Sequence, residues 1–212
     1  DADIMKLLAA KDPDNAHSMP YLGGTTGIGF NPKKVAAVMG PDFKLDSWDA
    51  VLKPENLSKL QKCGVSFLNA PTEIMATVLH YMGKDPNSTN PADYKEAGKL
   101  LATLRPHIAY FHSSQYINDL ANGDICVAIG WSGDVMQAAA RAEEAKNNVT
   151  VDYVIPKEGA LVFYDMLAIP ADSKHPENAH AFINYLMRPE VIAKISNYVS
   201  YASGNEASLP MV

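Results

Sequence analysis

The spacing of apolar positions divides the chain into two blocks. Between about residues 29 and 146, amphipathic helical segments alternate with short apolar runs typical of buried strands. After residue 148 the spacing changes to period-two alternation over 149–155, followed by a second strand over 160–169 and two helices. The first block predicts an α/β fold with a largely parallel sheet, because helical crossovers join strands that run in the same direction.

The predicted elements have definite bounds. The expected helices are 1–10, 32–39, 53–62, 74–82 with its start at 69–73, 91–104, 113–120, 135–146, 176–187 and 189–200. The expected strands are 65–68, 108–111, 125–129, 149–155 and 160–169, and the tail from Tyr201 is expected to be irregular.

A glycine-rich extended segment, Ser18–Asn31, precedes these elements. Its glycines are Gly23, Gly24, Gly27 and Gly29. A phosphate-binding loop needs Lys followed by Ser or Thr after the last glycine, and here Phe30-Asn31-Pro32 follows instead. We therefore interpret the segment as a flexible strand or as a crossing between domains.

The stretch Ala121–Asp134 carries the first candidate chemistry. Asn122-Gly123-Asp124 predicts a turn, the apolar run that follows predicts a buried strand, and Ser132 opens a helix. Trp131 and Asp134 then lie where a strand's carboxyl end meets a helix, which is where open α/β sheets bind ligands. An indole face and a carboxylate favour an organic cation. Taken alone, the stretch favours packing for Trp131 and dipole compensation for Asp134.

Two further carboxylates are candidates for a cation site. Glu73 follows the strand 65–68 in the first turn of a helix, where it either compensates the helix dipole or binds a cation. Asp165 interrupts an apolar strand beside Phe163 and Tyr164. A buried carboxylate needs a partner, so Asp165 points to function unless it lies on the surface of an edge strand.

Composition excludes several classes of function. The chain has 212 residues, 47% of them hydrophobic, which is enough for one large core or two small ones. Its net charge of −6 and the absence of a basic patch argue against nucleic acid as a partner. No apolar run approaches the ~20 residues that a membrane span needs, and no signal peptide is evident. The histidines lack zinc-helix spacing and neither CxxC nor Gly-x-Ser-x-Gly occurs, so no metal, cofactor or catalytic motif is predicted.

The two cysteines, Cys63 and Cys126, flank or lie within predicted strands. They could form a disulfide in an oxidising compartment or remain two buried thiols. Their positions alone leave both alternatives open.

Several long runs together resemble the bacterial periplasmic spermidine/putrescine-binding proteins, the solute receptors of polyamine ABC transporters. The runs are Lys62–Leu68, Lys84–Thr89, Tyr110–Trp131 and Ile155–Ala160, and the resemblance extends from Pro20 to Val212. It implies a two-lobed periplasmic-binding-protein fold with hinge crossings and a ligand cleft. It also implies a disulfide between Cys63 and Cys126.

The resemblance implies a lobe assignment. Residues 1–23 would belong to the first lobe and hinge, and 24–147 would form the second lobe. Residues 148–188 would return to the first lobe, and 189–212 would form the last hinge and return towards the second. Family members carry additional amino- and carboxyl-terminal segments, so we expect the first lobe to be incomplete in this chain.

The ligand positions that the resemblance implies are of the types a diamine requires. They are Glu73, Trp131, Asp134, Phe163, Asp165 and Tyr201. Carboxylates would hold the ammonium groups, and aromatic faces would sandwich the methylene chain and add cation–π attraction.

We therefore expect a monomeric periplasmic receptor that binds putrescine or spermidine and delivers it to the membrane permease of an ABC transporter. The alternatives are a receptor or sensor of the same fold for another cationic amine, and an amine-acting α/β enzyme. The acidic candidates argue against an anionic ligand, and the lack of a catalytic motif argues against the enzyme.

Overall fold

The computed structural model describes residues 2–212, which divide into two compact units. Unit 1 comprises residues 2–24 and 162–212, and unit 2 comprises Thr25–Leu161. The helices are α1 Ala2–Leu8, α2 Pro32–Met39, α3 Asp49–Leu52, α4 Pro54–Leu60, α5 Pro71–Tyr81, α6 Pro91–Leu104, α7 Gln115–Asn122, α8 Ser132–Ala145, α9 Pro176–Leu186 and α10 Pro189–Val199. The strands are β1 Ser18–Phe30, β2 Val65–Phe67, β3 Tyr110–Phe111, β4 Val127–Trp131, β5 Asp152–Val154, β6 Leu161–Ala168 and β7 Ala202–Ser203.

Local sequence signals account for where the helices begin. Proline occupies the first helical position of α2 and α6, where its missing N–H removes no intrahelical hydrogen bond. The side chain of Asn31 accepts a hydrogen bond from the Lys34 amide at 3.1 Å, and that of Asn90 accepts one from the Ala92 amide at 3.0 Å. Each asparagine thus satisfies one of the amides that a helix start leaves unpaired.

The sheet of unit 2 has the order β3-β2-β4-β1-β5. β2 runs parallel to β3 and β4, and the connections between these strands contain the helices α5, α6 and α7. β1 runs antiparallel to both β4 and β5. The α/β prediction is therefore confirmed, and β2, β3 and β4, the strands of the first predicted block, pair in parallel as expected. The complete sheet is mixed, because β1 and β5 lie outside the series of helical crossovers that enforces parallel pairing.

Both faces of this sheet are covered in unit 2, since all three residues of β2 and the first four of β4 are buried and successive side chains point to opposite faces. Trp48, Phe67, Tyr116, Leu79 and Leu104 are among its fully buried large side chains. Helices α2, α4, α5, α6, α7 and α8 contribute residues to the same hydrophobic cluster. Unit 2 thus has the continuous interior that an α/β layer structure requires.

Unit 1 has much less buried apolar surface. β6 and β7 pair with β1, and the register of β7 joins Leu22 to Ser203. In α10, Ile192 and Ala193 are buried, whereas α9 has no buried residue. Phe182 and Tyr198 expose 61% and 84% of their surface.

The bounds of the compact units differ from those of the predicted lobes. Residues 148–161 group with unit 2 because β5 pairs with Ile28–Phe30 of β1. Residues 189–212 group with unit 1, where α10 packs against the 3-10 helix Glu206–Met211 and against β7. The assignment of segments to ligand-binding lobes stays a prediction.

A disulfide joins Cys63 to Cys126, with 5.4 Å between their Cα atoms. Cys63 ends a 3-10 helix and is separated from β2 by Gly64, and Cys126 lies immediately before β4. The Cys126 amide also donates to the Gly64 carbonyl at 2.9 Å, so backbone pairing brings the two chain segments together. The disulfide that the family resemblance implied is therefore present.

None of the helices within residues 2–212 combines the length and the apolar character needed to cross a bilayer.

Reducing the disulfide should destabilise unit 2. The bridge spans a sequence separation of 63 residues, and the chain-entropy model gives on the order of 4 kcal/mol for a loop of that size. Urea unfolding with and without dithiothreitol, followed by tryptophan fluorescence, measures the effect. Both tryptophans, Trp48 and Trp131, lie in unit 2. The Cys63→Ala/Cys126→Ala variant is the control and should not respond to reductant; equal midpoints for the parent in both buffers would contradict the prediction.

Candidate functional site

Unit 2 brings three of the predicted ligand residues to one end of its sheet. β4 ends at Trp131, and α8 begins at the next residue, which places Asp134 in the first turn of that helix. Glu73 lies in the first turn of α5. The indole Nε1 of Trp131 donates a hydrogen bond to Glu73 Oε2 at 2.8 Å. Both acidic residues therefore occupy helix N-terminal turns, where the helix dipole favours negative charge.

The carboxylate of Glu73 receives a second hydrogen bond from β1. Thr26 Oγ1 donates to the same oxygen, Oε2, at 2.7 Å, and the Thr26 side chain is completely buried. Thr26 lies directly opposite Trp131 in the β1–β4 register. Residues opposite one another in antiparallel strands project from the same face, so both donors reach the same carboxylate.

Asp134 is held by a different hydroxyl. Tyr116, in α7, donates from its phenol to Asp134 Oδ2 at 2.8 Å. The same phenol oxygen accepts the backbone N–H of Trp131 at 3.1 Å. Tyr116 is completely buried, so a core side chain joins the end of β4 to the carboxylate of α8.

Thr25, the first residue of unit 2, is held by hydrogen bonds to side chains near this site. The Thr25 amide donates to Ser132 Oγ at 3.2 Å, and the Tyr153 hydroxyl donates to the Thr25 carbonyl at 3.0 Å. The hydroxyls of Thr25 and Tyr153 are also 2.7 Å apart. Burial raises the pKa of Tyr153 to about 12, and the bond to the Thr25 hydroxyl opposes part of that increase.

The other three predicted residues lie in unit 1. Phe163 and Tyr201 make an edge-to-face contact with ring centroids 6.1 Å apart and an interplanar angle of 63°. Asp165 is two residues beyond Phe163 on β6, so both side chains project from the same face of the strand. Asp165 is exposed, so the burial cost considered from the sequence does not apply. Burial, and secondarily the charge of Asp165, raise the pKa of Tyr21.

Each unit therefore combines aromatic surface with carboxylates. This combination suits a cation with an apolar body, because a carboxylate accepts charge-assisted hydrogen bonds and an aromatic face attracts positive charge. Within residues 2–212, no group of three or more His, Cys, Asp and Glu side chains has an arrangement that could hold a metal ion.

Sequence reasoning missed Thr26 and Tyr116, which contact the two carboxylates of unit 2. Thr26 lies in the glycine-rich segment, and its relation to Glu73 depends on a strand register that the sequence does not specify. Tyr116 lies 18 residues before Asp134, on a separate helix. The amphipathic pattern of α7 could have identified Tyr116 as buried, but not its contact with Asp134.

The profile of a family described as bacterial extracellular solute-binding protein matches residues 2–211. The chain belongs to that family. Two similar sequences are those of putrescine-binding proteins. The chain is 61% identical over 213 residues to the putrescine-binding periplasmic protein PotF of Escherichia coli (strain K12), covering 100% of this chain and 58% of PotF. It is 56% identical over 210 residues to the putrescine-binding periplasmic protein SpuD of Pseudomonas aeruginosa (strain UCBPP-PA14), covering 99% of this chain and 57% of SpuD.

Solved structures of solute-binding proteins share the fold. The spermidine/putrescine ABC transporter substrate-binding protein PotD of Streptococcus pneumoniae superposes with a TM-score of 0.73 at 25% identity, covering 98% of this chain and 58% of PotD. The TpPotD lipoprotein of Treponema pallidum gives a TM-score of 0.75 at 27% identity, covering 92% of this chain and 57% of that protein. The chain thus spans somewhat under three fifths of the length of these solute-binding proteins. The predicted fold class is confirmed, whereas the ligand roles of the six residues stay predictions.

Thr26→Val should release Glu73 from one of its two donors without opening a cavity, because valine and threonine have similar shapes. We expect faster rotamer exchange of the Glu73 side chain and a loss of about 1 to 2 kcal/mol in unfolding free energy. Side-chain NMR relaxation and urea unfolding measure the two effects. Thr77→Val is the matched control, since Thr77 is buried in α5 and its hydroxyl has no hydrogen-bond partner. If the rotamer exchange of Glu73 were the same in Thr26→Val as in the parent, the Thr26 hydroxyl would not be holding the Glu73 carboxylate.

Tyr153 should make unit 2 less stable at alkaline pH. Its pKa in the folded chain is about 12 against an ordinary value of 10, so the folded state retains a proton that the unfolded chain releases. The stabilisation that Tyr153 contributes to the folded state is fully present below pH 10 and is lost as the pH rises towards 12. Urea midpoints from pH 8 to 12 should fall less steeply for Tyr153→Phe than for the parent. Tyr198→Phe, at an exposed position, should follow the parent; equal slopes for the parent and Tyr153→Phe would refute the prediction.

Proposed function

We propose that this chain is part of a periplasmic receptor that binds polyamines such as putrescine or spermidine and delivers them to an ABC transporter permease. The observation that carries the proposal is the arrangement around Glu73. Its carboxylate is held by the indole N–H of Trp131 at 2.8 Å. A carboxylate and an aromatic ring in direct contact are the two groups that an alkylammonium ion needs.

The hydrogen bonds at Glu73 leave a defined place for a ligand. Thr26 and Trp131 both donate to Oε2, which leaves Oε1 to accept from an ammonium group. Asp134, whose Oδ2 accepts from Tyr116, places a second carboxylate in the first turn of α8. The indole of Trp131, which is partly exposed, provides the apolar surface for methylene groups.

In unit 1, the proposed ligand residues are Phe163, Asp165 and Tyr201. The edge-to-face contact between Phe163 and Tyr201 fixes two aromatic rings, and the exposed carboxylate of Asp165 projects from the same face of β6 as Phe163. These residues could contribute a further carboxylate and further aromatic surface to the receptor. The names of PotF and SpuD, both putrescine-binding, support polyamine as the ligand class.

The proposal is one of binding rather than catalysis. The sequence lacks a nucleophile motif, and the sequence relatives described above are named for binding. Periplasmic location, a permease partner and action as a monomer are parts of the same proposal. PotF and SpuD are periplasmic, and PotD belongs to an ABC transporter.

Calorimetric titration with putrescine, spermidine and a neutral amino acid tests the proposal. We expect saturable binding of an amine and none of the neutral amino acid. Glu73→Gln, Asp134→Asn and Asp165→Asn should each weaken amine binding by roughly 10- to 100-fold, since a hydrogen bond to a charged group contributes about 1.5–3 kcal/mol.

Glu96→Gln is the control, because Glu96 pairs with Lys84 on the surface of unit 2. It should bind as the parent does. A carboxylate variant that also binds like the parent would remove that residue from the site. Absence of amine binding by the folded parent would refute the proposal for this chain.

A further inference from the structure

Tyr116 contacts two ligand candidates of unit 2 through a single oxygen. Its hydroxyl donates to Asp134 Oδ2 at 2.8 Å and accepts from the Trp131 backbone N–H at 3.1 Å. A phenol has one proton to donate, and here that proton is directed to the carboxylate. The bond from Trp131 occupies an oxygen lone pair, so the phenol is bonded in both of its roles while its ring is completely buried.

The strand beside Tyr116 is shaped to admit its ring. A Cβ atom at Gly130 would lie 2.6 Å from Cε2, 3.0 Å from Cζ and 3.2 Å from the hydroxyl oxygen of Tyr116. Real Cβ atoms essentially never come within 3.0 Å of such neighbours. Only glycine at this position of β4 therefore allows the phenol to reach the strand end where Trp131 and Asp134 lie.

We infer that Tyr116 is a positioning residue that sets amine affinity by fixing Asp134 and the backbone of Trp131 relative to each other; this inference rests on the proposed function. The two ligand candidates belong to different elements, a strand end and a first helical turn. The phenol bonds to both, so neither can shift without loss of a buried hydrogen bond. An ammonium group then meets a carboxylate whose orientation is already fixed, which reduces the ordering cost of binding.

Tyr116→Phe tests this inference, since it removes the oxygen and keeps the ring. The control is Tyr110→Phe, because the Tyr110 hydroxyl also donates to a carboxylate in unit 2, that of Asp119. Amide hydrogen exchange at Trp131 provides a readout that needs no ligand. We expect about 5-fold faster exchange in Tyr116→Phe, since the amide loses this buried acceptor, and no change in Tyr110→Phe.

Putrescine titration of the same proteins provides the second readout. Tyr116→Phe should bind roughly 10-fold more weakly than the parent, whereas Tyr110→Phe should bind as the parent does. Thermal unfolding of both variants establishes that they are folded and comparably stable. Gly130→Ala is a second variant of the same contact and should shift both readouts in the same direction by displacing the Tyr116 ring.

The two readouts distinguish failure of this inference from failure of the proposed function. If the parent binds putrescine and Tyr116→Phe binds equally well, the inference is overturned, whatever the exchange rate. If exchange at Trp131 is the same in Tyr116→Phe and the parent, the inference is overturned even without a ligand. If the folded parent does not bind putrescine while exchange accelerates in Tyr116→Phe, the positioning contact stands and the proposed function fails.

Discussion

The antiparallel pairing of β1 with β4 is the constraint on which the site of unit 2 depends. It places Thr26 opposite Trp131, and both donate to one oxygen of Glu73. A shift of β1 by one residue would turn Thr26 to the other face of the sheet and remove its hydroxyl from the carboxylate. The register of two strands thus determines how a side chain on a third element, α5, is held.

Close packing around β1 and β4 supports this pairing. Gly130 leaves room for the ring of Tyr116, and Gly23 leaves room for the ring of Tyr164, which would lie 2.8 Å from a Cβ there. The glycines of β1, whose segment was interpreted from the sequence as a flexible strand or a crossing between domains, belong to a regular strand of 13 residues. At Gly23, the absence of a side chain leaves space for the ring of Tyr164.

The sequence predicted more of unit 2 than of the contacts that complete its site. Glu73, Trp131 and Asp134 could be located because strand ends and first helical turns are visible in the apolar pattern. Thr26 could not, because its role depends on the register between strands about 100 residues apart. The direction of β1 was missed for a related reason, since periodicity indicates a strand but not its partner. The disulfide required the family resemblance, because the positions of Cys63 and Cys126 alone were compatible with free thiols.

The bonds of Thr25 have a consequence for how β1 can deform. Its amide, carbonyl and hydroxyl are all engaged by side chains of unit 2, from Ser132 and Tyr153. The residue before it, Gly24, is the last of the first segment of unit 1. A change in the backbone angles of Thr25 would break these bonds together, so β1 resists bending at the first residue of unit 2.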